Sequence, residues 1–364
     1  MKSNVSTSLD RFNLTFPCIQ GGMGIGISRG ALAGAVMREG CIGVIASAQL
    51  GFMHPRYREN PFDYDLEALE HEIKIARQTS SGNGILGVNL MVASRRYPDY
   101  ARALGRMPID ILFCGAGLPL DLPEYVNNPD ILLGVILSSA KALTLLCNVW
   151  DKKYARIPDL VVFEGCAAGG HLGFTREAIE NNTCETVETM LEKSKETIEF
   201  YQSKHKKRMR VYVAGGIHDG YDMKHYLDLG ADGVQLGTRF AVTDESSAPS
   251  HIKQRLVACV KEEIRLTKSP SGMIGRCLTT RFAEEINSQT ENISVNDCIG
   301  CLRNCDPNDT PFCLYGAIIA AIRGDIESGM ILCGSQAYRI DKTLSVKELI
   351  EELRQSLKDA YGKE

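Results

Sequence analysis

Eight short apolar runs, rich in valine, isoleucine and leucine and without polar alternation, recur along the chain with helix-length segments between them. They lie at Phe16–Gln20, Cys41–Ala46, Ile85–Met91, Asp110–Cys114, Leu132–Leu137, Leu160–Phe163, Arg210–Ala214 and Gly233–Leu236. A strand that is apolar on both faces belongs to a parallel sheet covered on both sides. Eight such strands favour a closed barrel over an open doubly wound sheet. The expected class is therefore α/β, a (β/α)8 TIM barrel with a cysteine-rich and helical C-terminal extension.

The intervening segments read as helices. Ser28 is placed to cap a helix over Arg29–Glu39 that Gly40 ends, and Leu66, Leu69, Ile73 and Ala76 make an apolar stripe after Asp65. Beyond the last strand, residues 245–265 look helical and a polar segment leads into the cysteines. Ser345 and Glu348 then form an S-x-x-E capping box ahead of Leu349, Ile350, Leu353 and Leu357. The domain reading is a barrel over 1–265 and an extension over 266–364 packed on it, too short to carry a large core alone.

At 364 residues and 44% hydrophobic content the chain can bury a full core. A net charge of -4 with scattered Lys and Arg offers no basic stripe for nucleic acid or an anionic membrane. The apolar stretch from Ile131 to Trp150 is interrupted by Ser138, Ser139, Lys141 and Asn148, and reads as a strand running into a helix. MKSNVSTSLDRF lacks the apolar core of a signal peptide, so the thirteen cysteines are expected as thiols or metal ligands in the cytoplasm. The expected partners are a small-molecule substrate and a second copy of the chain in a homodimer.

Three glycine clusters fall at strand ends. Gln20-Gly21-Gly22-Met23-Gly24 follows the first strand, but the second strand ends in Ala46-Ser47-Ala48, where a Rossmann site needs an acidic residue for the ribose. A flat ring approached by backbone is the better use of these glycines, with a ligand-free tight turn as the alternative. Ala214-Gly215-Gly216-Ile217 and Gln235-Leu236-Gly237-Thr238 end the seventh and eighth strands, where barrels commonly bind phosphate through glycine amides and a hydroxyl. A phosphate-bearing ligand follows, although sugar phosphates use the same place. The sixth strand leads into Glu164-Gly165-Cys166-Ala167-Ala168-Gly169-Gly170-His171, which puts a histidine among small residues where it can serve as acid or base at neutral pH. A loop-holding hydrogen bond is the bland use of such a histidine; the surrounding glycine clusters favour the catalytic one.

FPCIQGGMG, GVNLMV, EGCAAGGHLG, AGGI and GADGVQLGTRF, in this order from Phe16 to Phe240, resemble the nitronate monooxygenases, also called 2-nitropropane dioxygenases. The flavin-dependent enoyl-acyl carrier protein reductases are related. The resemblance implies FMN, with Gly21, Gly22, Met23 and Gly24 against the isoalloxazine ring and Asn89 on its polar edge. Glu164, Gly169 and Gly170 would line the cofactor, and Gly215, Gly216, Gln235, Gly237 and Thr238 would hold its phosphate. Ser138 is a further candidate for the ring, and His171 would be the acid–base residue beside flavin N5. In one branch of the family flavin oxidises an alkyl nitronate with oxygen. In the other it takes hydride from NAD(P)H and reduces an activated C=C bond.

The chain departs from simpler members at Cys298, Cys301, Cys305 and Cys313. Their spacing is similar to iron–sulfur ligation in other flavin barrels such as dienoyl-CoA reductases, and a [4Fe-4S] centre exchanging electrons with FMN is the expectation. Structural zinc and four ordinary thiols are the alternatives. Two other classes compete: a non-redox barrel lyase or isomerase, which lacks an obvious Schiff-base lysine at a strand end, and an electron-transfer partner. The segment from Ser47 to Tyr64, with Phe52, His54, Tyr57 and Phe62, is expected either to overhang the mouth and shape specificity or to pack against the barrel.

Overall fold

The computed structural model describes residues 14–362, so the N-terminal stretch read for a signal peptide lies outside the described residues. Its strands, in chain order, are β1 (Cys18–Gln20), β2 (Ile42–Ala46), β3 (Ile85–Met91), β4 (Ile111–Gly115), β5 (Leu132–Leu137), β6 (Leu160–Glu164), β7 (Gly170–Leu172), β8 (Arg210–Ala214), β9 (Gly233–Leu236), β10 (Ile264–Thr267) and β11 (Ile274–Leu278). Eight of them, β1 to β6 with β8 and β9, close into a parallel barrel in sequence order, β9 pairing back on β1. This is a TIM barrel, and all eight apolar runs supply its staves.

The helices are α1 (Gly30–Arg38), α2 (Pro61–Ser80), α3 (Tyr97–Leu104), α4 (Leu122–Tyr125), α5 (Ala140–Tyr154), α6 (Arg176–Glu180), α7 (Val187–His205), α8 (Gly220–Asp228), α9 (Thr238–Ala241), α10 (Ser250–Val257), α11 (Arg281–Ser288), α12 (Leu314–Ile322) and α13 (Val346–Tyr361). One layer of core fills the barrel, where Ile19, Val44, Ile85, Phe113, Leu160 and Tyr212 are buried together. Phe113 shows how the volume is shared: side chains at Gly87 or Gly134, on the two neighbouring strands, would collide with its ring. A second layer lies between strands and helices, and Leu349, Ile350 and Leu353 of α13 belong to it. The final helix is thus part of the barrel's own core. Its Ser345–Glu348 capping box forms as the sequence predicts.

Two local readings are corrected. Ser28 does not cap α1; Arg29 occupies that place without a capping side-chain bond, and Glu72 of α2 accepts the first-turn amide of Gly30 at 2.6 Å. The Ser28 hydroxyl is drawn inward, where it accepts from Met23 N at 2.9 Å and donates to Gly21 O at 3.2 Å. Residues 245–265 are not one helix: α10 ends at Val257, a short 3-10 turn covers Lys261–Glu263, and β10 begins at Ile264. β10 pairs antiparallel with β11, which pairs antiparallel with β7. This small sheet straddles residue 265, so the strand that follows the barrel is tied to the loop after β6.

Candidate active site

The loop after β1 is built from buried polar contacts. Gln20, fully buried, accepts the Val44 amide at 2.9 Å and donates to Ser28 Oγ at 2.9 Å, while Gly21 N extends the pairing to Leu236 O. Gly22 must be glycine, because any Cβ there would collide with Asn89 of β3. The Asn89 side-chain oxygen is buried without a hydrogen-bond partner among the described residues. A buried amide oxygen left unpaired costs about 1–3 kcal/mol unless a ligand completes it.

These residues open on a cavity of about 280 Å3 at the C-terminal end of the barrel, the end at which barrel enzymes place their chemistry. Gly21, Gly22, Met23, Gly24 and Asn89 form one wall; Glu164, Gly169, Gly170 and His171 form another. Gly215, Gly216, Gln235, Gly237 and Thr238 line it from β8 and β9. Ser138 is not among the residues of this wall, which Ile136 of β5 lines; a side chain on Gly173 would collide with the Ser138 hydroxyl.

Burial moves the two titratable groups apart. The Glu164 carboxyl is pushed up to about 7, and the His171 imidazole is pushed down to about 4, in both cases because the charged form is desolvated. His171 is therefore neutral at physiological pH. Its Nε2 lies 3.2 Å from Ser269 Oγ, which is 2.9 Å from Ser271 Oγ, and β7 holds its backbone opposite Gly275.

The Glu164 shift has a consequence for stability. A carboxyl raised on folding stabilises the fold fully below its unfolded value and loses that contribution as pH rises through about 7. The apoprotein of Glu164→Gln is therefore expected to exceed the parent in stability at pH 8, by up to about 3 kcal/mol, with the gap narrowing at pH 5.5. Urea unfolding at the two pH values checks this; a gap independent of pH contradicts it.

Sequence reasoning did not find the tail's share of the site. Gly334 N donates to Thr238 Oγ1 at 2.9 Å and Ser335 N to Ala167 O at 3.0 Å, so the segment after Cys333 folds over the phosphate-type loops. Leu314, Tyr315, Ile318 and Ile322 of α12 add an apolar wall. The run Cys333-Gly334-Ser335, small residues after an apolar strand-like stretch, was the available signal. Arg276 of β11, buried against the carbonyls of Cys166 and Ala168, was missed as well.

The segment from Ser47 to Tyr64 packs between α2, α3 and the tail, Tyr57 stacking on Tyr315 of α12 at 6.2 Å. Tyr57 is buried with its hydroxyl 3.2 Å from Asp65, Tyr100 reaches the same carboxylate at 2.6 Å, and Gly51 N donates to it at 2.8 Å. Burial raises Asp65 to about 6 despite these donors. Phe62 meets Tyr100 edge-on at 4.8 Å and His54 stacks on Tyr64 at 3.7 Å. Ala48 and Gln49, not the aromatics, reach the cavity.

The cysteine expectation finds no support in the side-chain arrangement. Among the described residues, no three of His, Cys, Asp and Glu come together as a metal-ligand set. The thiols of Cys298, Cys301, Cys305 and Cys313 are neighbours electrostatically, but each is used locally. Cys298 and Cys313 accept the amides of Gly300 and Gly316 at 3.3 Å, Cys305 donates to Thr310, and burial pushes Cys301 up to about 12. Cys301 alone of the four lines the cavity.

Known proteins share this architecture. A "Probable nitronate monooxygenase" of Bacillus subtilis (strain 168) is 24% identical over 311 residues, covering 78% of this chain and 82% of that protein. FabK from Thermotoga maritima superimposes with a TM-score of 0.73 at 24% identity, over 98% of this chain and 96% of its own. Nitroalkane oxidase from Streptomyces ansochromogenes does so with a TM-score of 0.73 at 21% identity, over 98% and 99%. The sequence pattern defining the nitronate monooxygenase family matches residues 6–356. With its barrel, its glycine-lined cavity and a match across nearly its whole length, the chain belongs to the nitronate monooxygenase family and is an FMN-dependent oxidoreductase.

Proposed function

We propose that this enzyme oxidises alkyl nitronates or a similar small activated substrate, with His171 as the acid–base residue. The observation that carries the reading is a half-buried imidazole, pushed toward its neutral form by desolvation, on the wall of the same cavity as the unpaired Asn89 oxygen. FMN fits that cavity on two counts: Asn89 offers a ring N–H its missing acceptor, and Gly22 leaves room that a side chain would remove. FMN, when bound, supplies the redox chemistry that passes electrons from the substrate to oxygen.

The chain's own residues do the rest. His171 Nε2, free of charge at neutral pH, takes the α-proton of a neutral carbon-acid substrate, or hydrogen-bonds a nitronate, which has already lost that proton, exchanging its Ser269 contact for the substrate. Glu164, protonated over part of the neutral range, donates a hydrogen bond to the ligand and accepts one once ionised. Gly215, Gly216, Gly237 and Thr238 hold the phosphate. The apolar wall from α12 excludes water from the reacting face.

One observation favours a second reading. Leu314, Ile318 and Ile322 of α12 line the cavity, and such an apolar wall suits an apolar acyl substrate, as in NAD(P)H-dependent reduction of an activated C=C bond. Thirteen free cysteines, and no helix among the described residues long and apolar enough to cross a membrane, support a cytoplasmic setting. The two readings separate in one assay of purified protein. Oxygen consumption with alkyl nitronates and no nicotinamide is expected. NAD(P)H oxidation coupled to enones or enoyl thioesters, with nitronates inert, would transfer the assignment to the second reading.

A further inference from the structure

Arg276 is a buried cation with no carboxylate partner among the described residues. Its guanidinium Nη1 donates to Cys166 O at 2.6 Å and to Ala168 O, and the ionisable groups nearest it are the thiols of Cys166, Cys184 and Cys333. Burial pushes those of Cys184 and Cys333 toward the neutral form and drives the arginine itself downward. A buried charge without an opposite charge is costly, and proteins keep one where an anion completes it.

The geometry shows where that anion would lie. In a trans peptide the carbonyl of one residue and the N–H of the next point in opposite directions. Gripping Cys166 O and Ala168 O therefore aims the N–H groups of Ala167 and Gly169 away from the guanidinium. Neither N–H has an acceptor among the described residues, and both residues line the cavity. The peptide between them is used otherwise: Ala167 O accepts from Ser335, and Ala168 N donates to Gly165 O at 3.1 Å. The surroundings are those of the phosphate loops. A Cβ on Gly216 would stand 3.1 Å from Ala167 Cβ, and one on Gly334 would stand 3.4 Å from Thr238 Oγ1 and 3.8 Å from Gly169 N.

We propose that Arg276 is the positioning residue of the phosphate site: it orients the Ala167 and Gly169 amides toward a phosphate held by Gly216 and Thr238, and supplies through those two peptides the positive charge that balances it. Guanidinium and phosphate do not touch. The two polarised peptides stand between them and form an anion-binding concavity of backbone amides. A strand of the tail thereby completes a loop of the barrel, which explains why β11 pairs with β7 at Arg276↔Gly170.

The inference rests on the FMN reading, and comparing FMN with riboflavin separates the two, since only FMN carries phosphate. Arg276→Gln keeps an N–H donor and loses the charge. It is expected to weaken FMN binding to apoprotein about 10- to 100-fold, the usual worth of hydrogen bonds to a charged group, while riboflavin affinity changes little. Arg276→Lys should recover most of the FMN affinity. Equal losses for both flavins, or unchanged FMN affinity, would overturn the proposal. If the glutamine variant does not fold, Arg276→Met decides, since it fills similar space with neither charge nor donor: a selective fall in FMN affinity supports the proposal and equal falls refute it. A parent chain that takes up neither flavin would sink the FMN reading instead. Titration of parent and variants with inorganic phosphate then decides the inference alone, weaker phosphate binding in the glutamine variant supporting it and equal binding refuting it.

Discussion

Replacing His171 with alanine is expected to leave FMN bound and to lower kcat about 10²- to 10⁴-fold, the range that a positioned general acid or base contributes. The size follows from how the residue is held. β7 fixes its backbone against β11 opposite Gly275, and desolvation keeps the imidazole uncharged down to about pH 4, so the ring is ready to accept a proton whenever substrate arrives. The change should fall on kcat more than on KM, because a proton-transferring group acts mainly in the transition state. Steady-state kinetics at saturating substrate, with flavin content measured alongside, is the check. A near-normal kcat would remove His171 from the chemistry.

Gly216→Val should all but abolish FMN binding, by on the order of a hundredfold or more, without unfolding the barrel. Two effects combine at this position. Gly216 sits at φ +80, which a β-branched residue adopts only under strain. The added atoms would also meet Ala167 Cβ at 3.1 Å, on the loop that Arg276 braces. The damage is confined to the mouth, because the β8 pairings with β6 and β9 end at Ala214. Equilibrium dialysis with FMN, and circular dichroism for the fold, measure both halves. Full FMN occupancy in the variant would place the phosphate elsewhere.

The barrel was legible because each of its strands is apolar on both faces and flanked by helical segments. Ile85–Met91, Leu132–Leu137, Arg210–Ala214 and Gly233–Leu236 form with the bounds their residues suggest. The small sheet was not, for physical reasons. β7 has three residues, two of them Gly170 and His171, too few for any periodicity, and β11 carries a buried arginine where a strand pattern expects an apolar side chain. Such a residue is intelligible only once the two carbonyls it serves, more than a hundred positions earlier in the chain, are brought beside it. Ser28 misled because a serine ahead of a helix normally caps it; here the buried carboxylate of Glu72 fills that role, and the serine braces the loop after β1.

At the site, the strand-end glycines stand out in one dimension because close backbone approach needs them, whereas Asn89 was singled out only by the family resemblance; both lie on the cavity wall. Ser138, just past β5, lies off the cavity wall and beside Gly173, an orientation that its place in the sequence does not reveal. The cysteine spacing suggested a cluster, yet spacing fixes only how near four sulfurs can come. In the folded chain Cys298, Cys305 and Cys313 turn to Gly300, Thr310 and Gly316.

The central claim is that the cavity at the end of the barrel holds FMN. Its most direct test is the flavin content of the purified protein: the absorption spectrum, then heat release and chromatographic identification of the pigment. The account predicts a yellow protein carrying about one FMN per chain, restored to that ratio when apoprotein is mixed with FMN. A colourless chain that takes up no FMN in dialysis would contradict it.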